Sequence, residues 1–329
     1  PGGLSVAVRL AELGQRCMVV EGRRRLAIDG STPYGPFRRS FIVAIRDRGL
    51  QYLAEMGVRE RVTEKGLQKG DTFVWRTAND PDARPTKSTV SRDSHDWVHA
   101  SRDNVVSALL QRCDELNAAS VAKHGNVLVE YRFGSRVANI VKVDCSQGPR
   151  YDLFLEDEGT SEPSLSCKVL IGADGVNSVV RQFMVNKLGP DVMRVECFTD
   201  PGKYKFVLMP EAKELSRAFH VFVSRAVGNI ICLPYPDGTF TASFLPRPVL
   251  PADSGVERAW FQEATEATPE RVAATVKFFG QHFPAMCAHI NVEEFANSSL
   301  RFEAWEGRTY RCSRYHLDRV LLVGDSAHA

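Results

Sequence analysis

Lys168-Val-Leu-Ile-Gly-Ala-Asp-Gly-Val-Asn-Ser-Val-Val-Arg181 is the stretch whose reading decides the fold of this chain. Its apolar residues from Val169 onward make 168–171 a buried strand. Gly172 and Gly175 then break the regularity around one carboxylate, Asp174. A helix is expected over 176–184, with Asn177 or Ser178 near its start and Arg181 on its first turns. A strand that stops at Gly-Ala-Asp-Gly and becomes a helix leaves backbone N–H groups pointing above the strand's end. That geometry suits the phosphates and hydroxyls of a dinucleotide.

Both ends of the chain extend the pattern. Pro1-Gly2-Gly3 is followed by Leu4, Ala7, Val8, Leu10, Ala11 and Leu13 at helical spacing, and Gly14 reads as the stop. A short apolar strand, 17–20, then ends at Glu21. A dinucleotide fingerprint runs strand, three spaced glycines, helix, second strand, acidic residue. Gly3 takes the place of the third glycine, packing closely at the helix start, and Glu21, 18 positions later, is placed to hold ribose hydroxyls. The first strand and first two glycines are absent, so the sequence reads as a fragment of a longer protein. At the far end Arg319-Val-Leu-Leu-Val-Gly-Asp-Ser-Ala-His-Ala329 is another buried strand, followed by Gly324-Asp325. A miniature triad of Asp325, Ser326 and His328 is rejected, because the serine lacks a Gly-x-Ser-x-Gly elbow and sequence neighbours rarely converge.

Composition narrows the classes. The 329 residues, 43% hydrophobic, can bury one large core or two ordinary ones, and a net charge of +2 favours neither nucleic acid nor an acidic membrane surface. The basic run Arg23–Arg25 reads as solvated loop charge. Eight scattered cysteines without a Cys-x-x-Cys pair suit the reduced, buried thiols of an intracellular protein, neither a disulfide frame nor a zinc site. His95 and His99 are four apart in a loop-like stretch, so no metal site is expected there. No apolar run approaches 18 residues, and no membrane segment is expected in this sequence.

Between the motifs, helices are expected over 46–56, ending at Gly57, and after Ser101, which fits an N-cap. Residues 73–75 and 97–99 read as strands. Residues 127–131, 137–143 and 151–155 read as an antiparallel group. Four short strands, 205–209, 218–223, 229–233 and 240–245, form a meander with one buried face. Helices over 255–267 and 269–283 follow, then a strand over 300–309. His220, on an alternating strand, is read as a satisfied core residue.

Gly-Ala-Asp-Gly-x-x-Ser-x-x-Arg at 172–181 and Gly-Asp-Ser-Ala-His at 324–328, in this order after a Gly-helix-strand-Glu start, resemble the fingerprints of the FAD-dependent aromatic hydroxylases, a family of flavoprotein monooxygenases. Within that family Arg39-Ser-Phe-Ile-Val-Ala-Ile-Arg-Asp-Arg-Gly49, His99-Ala-Ser-Arg-Asp-Asn104 and Phe278-Phe-Gly-Gln-His-Phe-Pro284 are most similar to the kynurenine 3-monooxygenases. The resemblance implies an α/β fold. A Rossmann-like, three-layer FAD-binding domain (1–70, 100–185 and 310–329) would interleave with a mostly antiparallel-sheet substrate domain (71–99 and 186–309). It implies FAD as cofactor, held by Gly3, Glu21, Arg39, Ala44, Arg102, Val137, Asp174, Gly175, Gly324 and Asp325. NADPH or NADH would visit as transient reductant. O2 would be co-substrate, and a small aromatic ring would be hydroxylated through a flavin C4a-hydroperoxide. No catalytic residue and no metal are assigned. By the same resemblance the parent would be an enzyme, cytoplasmic or associated with an organelle such as the mitochondrial outer membrane. The fragment by itself is expected to be inactive.

Departures from the pattern bear on the substrate. Ile42 stands where the family has Asn, 70–72 holds no substrate-carboxylate arginine, and Asp96 falls where its tyrosine partner belongs. These argue against kynurenine. Other FAD-linked oxidoreductases of the fold remain as rivals, although the Trp-x-Trp-x-Ile-Pro signature of halogenases is absent. A plain NAD-dependent dehydrogenase explains the start but not the two later motifs.

Overall fold

The computed structural model describes residues 1–25, 42–68, 72–76, 80, 82–88, 98–156, 159, 162–209, 212, 215–235, 239–247, 266–302 and 304–328. Arg39, His95, Asp96 and residues 255–265 of the helix expected over 255–267 lie outside the described residues, while 266 and 267 are not helical.

The first helix, Gly2–Glu12, buries Leu4, Ala7, Val8 and Ala11 on one stripe. They pack on the long helix Arg102–His124, which buries Val105, Leu109, Leu110 and Cys113 in the same cluster. That helix starts where Ser101 accepts the N–H of Asn104 at 3.1 Å, an N-cap that satisfies one of the orphaned first-turn donors. Strand Cys17–Glu21 runs parallel to Val129–Phe133. Asn117, on the long helix, fastens this second strand: its Oδ1 accepts the N–H groups of Leu128 (3.0 Å) and Val129 (2.8 Å), and its Nδ2 donates to Val129 O at 2.8 Å. Val129–Phe133 is therefore not part of the antiparallel group read from sequence. That group consists of Leu165–Cys167, Arg150–Leu155 and Val137–Val143. Period-two alternation reports the face a strand buries, and is silent on its neighbour.

Leu170–Gly172 pairs in parallel with Val320–Leu322, so the Gly-Ala-Asp-Gly and Gly-Asp-Ser-Ala-His turns emerge side by side from adjacent strand ends. The first of these strands is shorter than expected, with Val169 53% exposed.

A second layer is one sheet of seven strands among the described residues, in the order Trp305–Cys312, Val195–Met209, Phe240–Pro246, Gly228–Pro234, Phe219–Ser224, Thr72–Trp75 and Thr86–Ser88. Val195–Met209 begins ten residues before the short strand expected and bends at an irregularity between Thr199 and Lys203. Helices Pro269–His282, Pro284–Cys287 and Val292–Arg301 lie against one face of this sheet. There Phe244 meets Phe278, Phe279 and Phe283 edge to face. The strand expected to open at residue 300 starts instead at Trp305, because Asn291 caps a helix that runs to Arg301. A further small sheet places Val98–Ser101 between Ile42–Ile45 and Leu67–Gln68.

Candidate functional site

The helix after Gly-Ala-Asp-Gly runs Val179–Leu188, with Ser178 as N-cap accepting Arg181 N–H at 2.9 Å. Asp174 is turned back onto this helix: Oδ1 accepts the Ser178 hydroxyl at 2.5 Å and Oδ2 accepts Val180 N–H at 3.1 Å. Its carboxylate thus shapes the turn, and the backbone at Gly175 (φ +82°), where a Cβ would meet nothing within 4 Å, is what the turn presents. Gly324 (φ +61°) does the same at the neighbouring turn. Gly172 has a different duty. A Cβ there would lie 2.7 Å from Val180 Cβ and 3.0 Å from Leu322 Cδ2, so only glycine lets helix and strand close.

Arg181 ties the two turns together. Its guanidinium donates to Ser326 O at 3.0 Å, to Asp325 O at 3.5 Å and to Val176 O, and it lies 4.2 Å from the centroid of the Tyr310 ring. Ser326 is fully buried, its hydroxyl within hydrogen-bonding reach of Gly172 O and Val323 O, and His328 is exposed against Tyr315. The triad of Asp325, Ser326 and His328 is therefore not built.

The N-terminal helix begins at the same place. A Cβ on Gly3 would stand 3.3 Å from Ala173 Cβ, so the first glycine turn packs directly on the second. A Cβ on Gly2 would lie 3.9 Å from Val323 Cγ2, so the start of this helix also faces the strand end that leads into Gly324-Asp325. Glu21 accepts Arg23 N–H at 2.9 Å, and a Cβ on Gly22 would collide with Arg136 Cγ at 2.6 Å, so Arg136 lies across the base of that strand end. Ala44 pairs with His99, three residues before Arg102. Val137, next to Arg136, is half-buried against the cluster that contains Val180, Met184 and Leu322.

Sequence reading missed two parts of this site, Gly172 as the close contact and Arg136 over Gly22. It quoted Arg181 without giving it a role. The Ser-x-x-Arg spacing was the available signal for Arg181, since i and i+3 share a helix face.

A family model described as an FAD binding domain matches residues 1–329. The chain belongs to the FAD binding domain family. Kynurenine 3-monooxygenase from Sus scrofa is 24% identical over 298 residues, covering 88% of this chain and 55% of the relative. The enzyme of the same name from Stenotrophomonas maltophilia is 26% identical over 306 residues, covering 88% and 57%. The chain thus spans little more than half the length of these curated relatives. A solved ternary complex of aklavinone-11 hydroxylase with FAD and aklavinone superposes with a TM-score of 0.65 at 18% identity, over 99% of this chain and 55% of that one.

The residues present fit the dinucleotide that the family name implies. A carboxylate ends the first strand, a cation opens the long helix, and two glycine turns offer open backbone. Among the described residues no cluster of His, Cys, Asp or Glu could hold a metal ion, and no helix is long and apolar enough to cross a membrane.

Proposed function

We propose that this chain carries the flavin site and the substrate-facing sheet of an FAD-dependent monooxygenase. Such an enzyme would hydroxylate a small aromatic molecule, with electrons from NADPH or NADH and oxygen from O2. The observation that carries the reading is that helix Gly2–Glu12 starts with Gly2 against Val323 and Gly3 against Ala173, beside two glycine turns clamped by Arg181. Residues 1–70, 100–185 and 310–329 would serve the cofactor, and 71–99 with 186–309 the ring.

The flavin, when bound, supplies the electron transfer and oxygen activation that side chains lack. The chain's own part is positional. Glu21 would accept hydrogen bonds from ribose hydroxyls, as acidic residues do at this point of a dinucleotide fold. Arg102, at the N-terminal end of a 23-residue helix, would offset pyrophosphate charge together with the helix dipole. Asp325 would accept from a polyol hydroxyl, and Gly3, Gly175 and Gly324 would let the ligand approach backbone. His220 is not a proton carrier in this scheme. It is 2% exposed, with Trp75 Nε1 donating to its Nδ1 at 3.3 Å and its Nε2 against Ser216 O at 3.0 Å. Burial lowers its pKa below the ordinary value.

Gel filtration after incubation with FAD, followed by visible absorption, tests the proposal. Co-eluting bands of oxidised flavin that weaken in Asp325→Ala and Glu21→Gln support it. A folded protein that stays colourless overturns it.

A further inference from the structure

The seven-stranded sheet has two faces of different character. Phe240, Ala242, Phe244, Ile230, Cys232, Phe222 and Val207 belong to the core shared with the covering helices. Their strand neighbours alternate to the other side, and the register lines them up in two rows. Thr241 is opposite Leu233 in one row, and Ser243 lies between Phe206 and Ile231 in the next. One strand further on, Phe219 shares this face, and the His99 ring stacks on it with centroids 6.0 Å apart. His99 is three residues from Arg102, so this face, unlike the helix-covered one, looks toward the nucleotide-binding elements.

Two features set its chemistry. In the stretches Thr72–Trp75, Lys205–Met209, Phe219–Ser224, Gly228–Pro234 and Phe240–Pro246, the single Lys, Arg, Asp or Glu is Lys205, paired with Phe244 and on the helix side. Among these described stretches the flavin-side face thus offers apolar and hydroxyl groups and no charge. Thr241 is 5% exposed, and its Oγ1 has no hydrogen-bond partner. Leaving a buried hydroxyl unpaired costs about 1–3 kcal/mol, which valine of the same shape would avoid. Ser243 stands about 7 Å along the same strand, and Phe219 about 10 Å across two strand spacings.

We propose that Thr241 is a specificity-determining residue that hydrogen-bonds an uncharged oxygen, phenol or ring carbonyl, of the aromatic substrate, and that the site selects neutral rings over aromatic carboxylates. This rests on the monooxygenase reading and refines it. A carboxylate laid over Thr241, Leu233 and Phe219 would lose its hydration with no cation among these described stretches to replace it. A phenol can use both the donor and the acceptor of the threonine hydroxyl while its ring lies over Leu233, Ile231 and Phe219.

The test uses FAD-loaded protein titrated with 4-methylphenol, 4-methylbenzoate and toluene, read by perturbation of the flavin spectrum, together with melting of each variant. The native protein is expected to bind 4-methylphenol at least tenfold more tightly than 4-methylbenzoate. Thr241→Val should weaken 4-methylphenol by about three- to tenfold, leave toluene unchanged and melt no lower than the native protein. Thr241→Ser should keep the phenol. Native-like phenol affinity in Thr241→Val, a preference for the carboxylate, or no response to any ring overturns the assignment while flavin binding stands. Loss of flavin bands in the native protein removes the monooxygenase reading as well.

Discussion

Removing the Arg181 guanidinium is the sharpest perturbation of the flavin site, because that group makes no contact that depends on bound ligand. Arg181 is 7% exposed and spans Ser326 O, Asp325 O and Val176 O while lying over Tyr310. Hydrogen bonds from a charged donor contribute about 1.5–3 kcal/mol each, and a buried cation over an aromatic ring about 2 kcal/mol. Burying the guanidinium offsets much of that sum, and the 3.5 Å bond is marginal. Arg181→Met, which keeps the apolar stem but leaves carbonyls unpaired, should therefore cost about 3 kcal/mol. Arg181→Lys keeps the charge and one donor direction and should cost about half as much. Urea unfolding gives the stability change. Flavin fluorescence quenching gives the affinity, which should fall at least tenfold in Arg181→Met, since the freed carbonyls belong to the turn bearing Asp325. A variant that unfolds at the native midpoint and binds FAD as the native protein does would refute the clamp.

Two further outcomes follow from close packing and from burial. Gly172→Ala drives a Cβ to 2.7 Å from Val180 Cβ and should cost about 1–3 kcal/mol in thermal melts, with Val180→Ala in the same chain restoring part of it. Lys205, 1% exposed, has its pKa lowered by burial to about 8 from an ordinary 10.5. The unfolded chain therefore binds the proton more tightly. The resulting penalty is full below pH 8, shrinks as pH rises, and is gone above 10.5, so the native protein should gain about 3 kcal/mol on Lys205→Met across that window. The comparison is between the two proteins at each pH, because the thiols Cys113 and Cys167, both raised to about 11, titrate nearby in both. An unchanged difference from pH 8 to 10.5 would show that the amine is not held in an apolar setting.

Local chemistry made much of the fold legible. Ser101, Ser178 and Thr268 cap the helices they precede because a short hydroxyl side chain reaches the open N–H groups of a first turn. The apolar stripe of Gly2–Glu12 and the strand ending at Glu21 follow from periodicity alone, and the glycine turns from residues that tolerate positive φ. These are properties of neighbours in sequence, and they were enough to point to a dinucleotide fold and its family.

Pairing between distant segments was decided by tertiary structure. Val129–Phe133 alternates as the hairpin strands do, yet it lies parallel to Cys17–Glu21 because Asn117 and the long helix bring it there. Asp174 reads as a ligand-facing carboxylate, but once the helix forms, its own Ser178 and Val180 are the nearer donors. Thr241 and Ala242 are adjacent in sequence with nothing to rank them. Only the helices packed on one side of the sheet make the second a core residue and leave the hydroxyl of the first, buried and unpaired, on the other face. A side chain's partners come from chain segments a hundred residues away, and no local pattern carries that information.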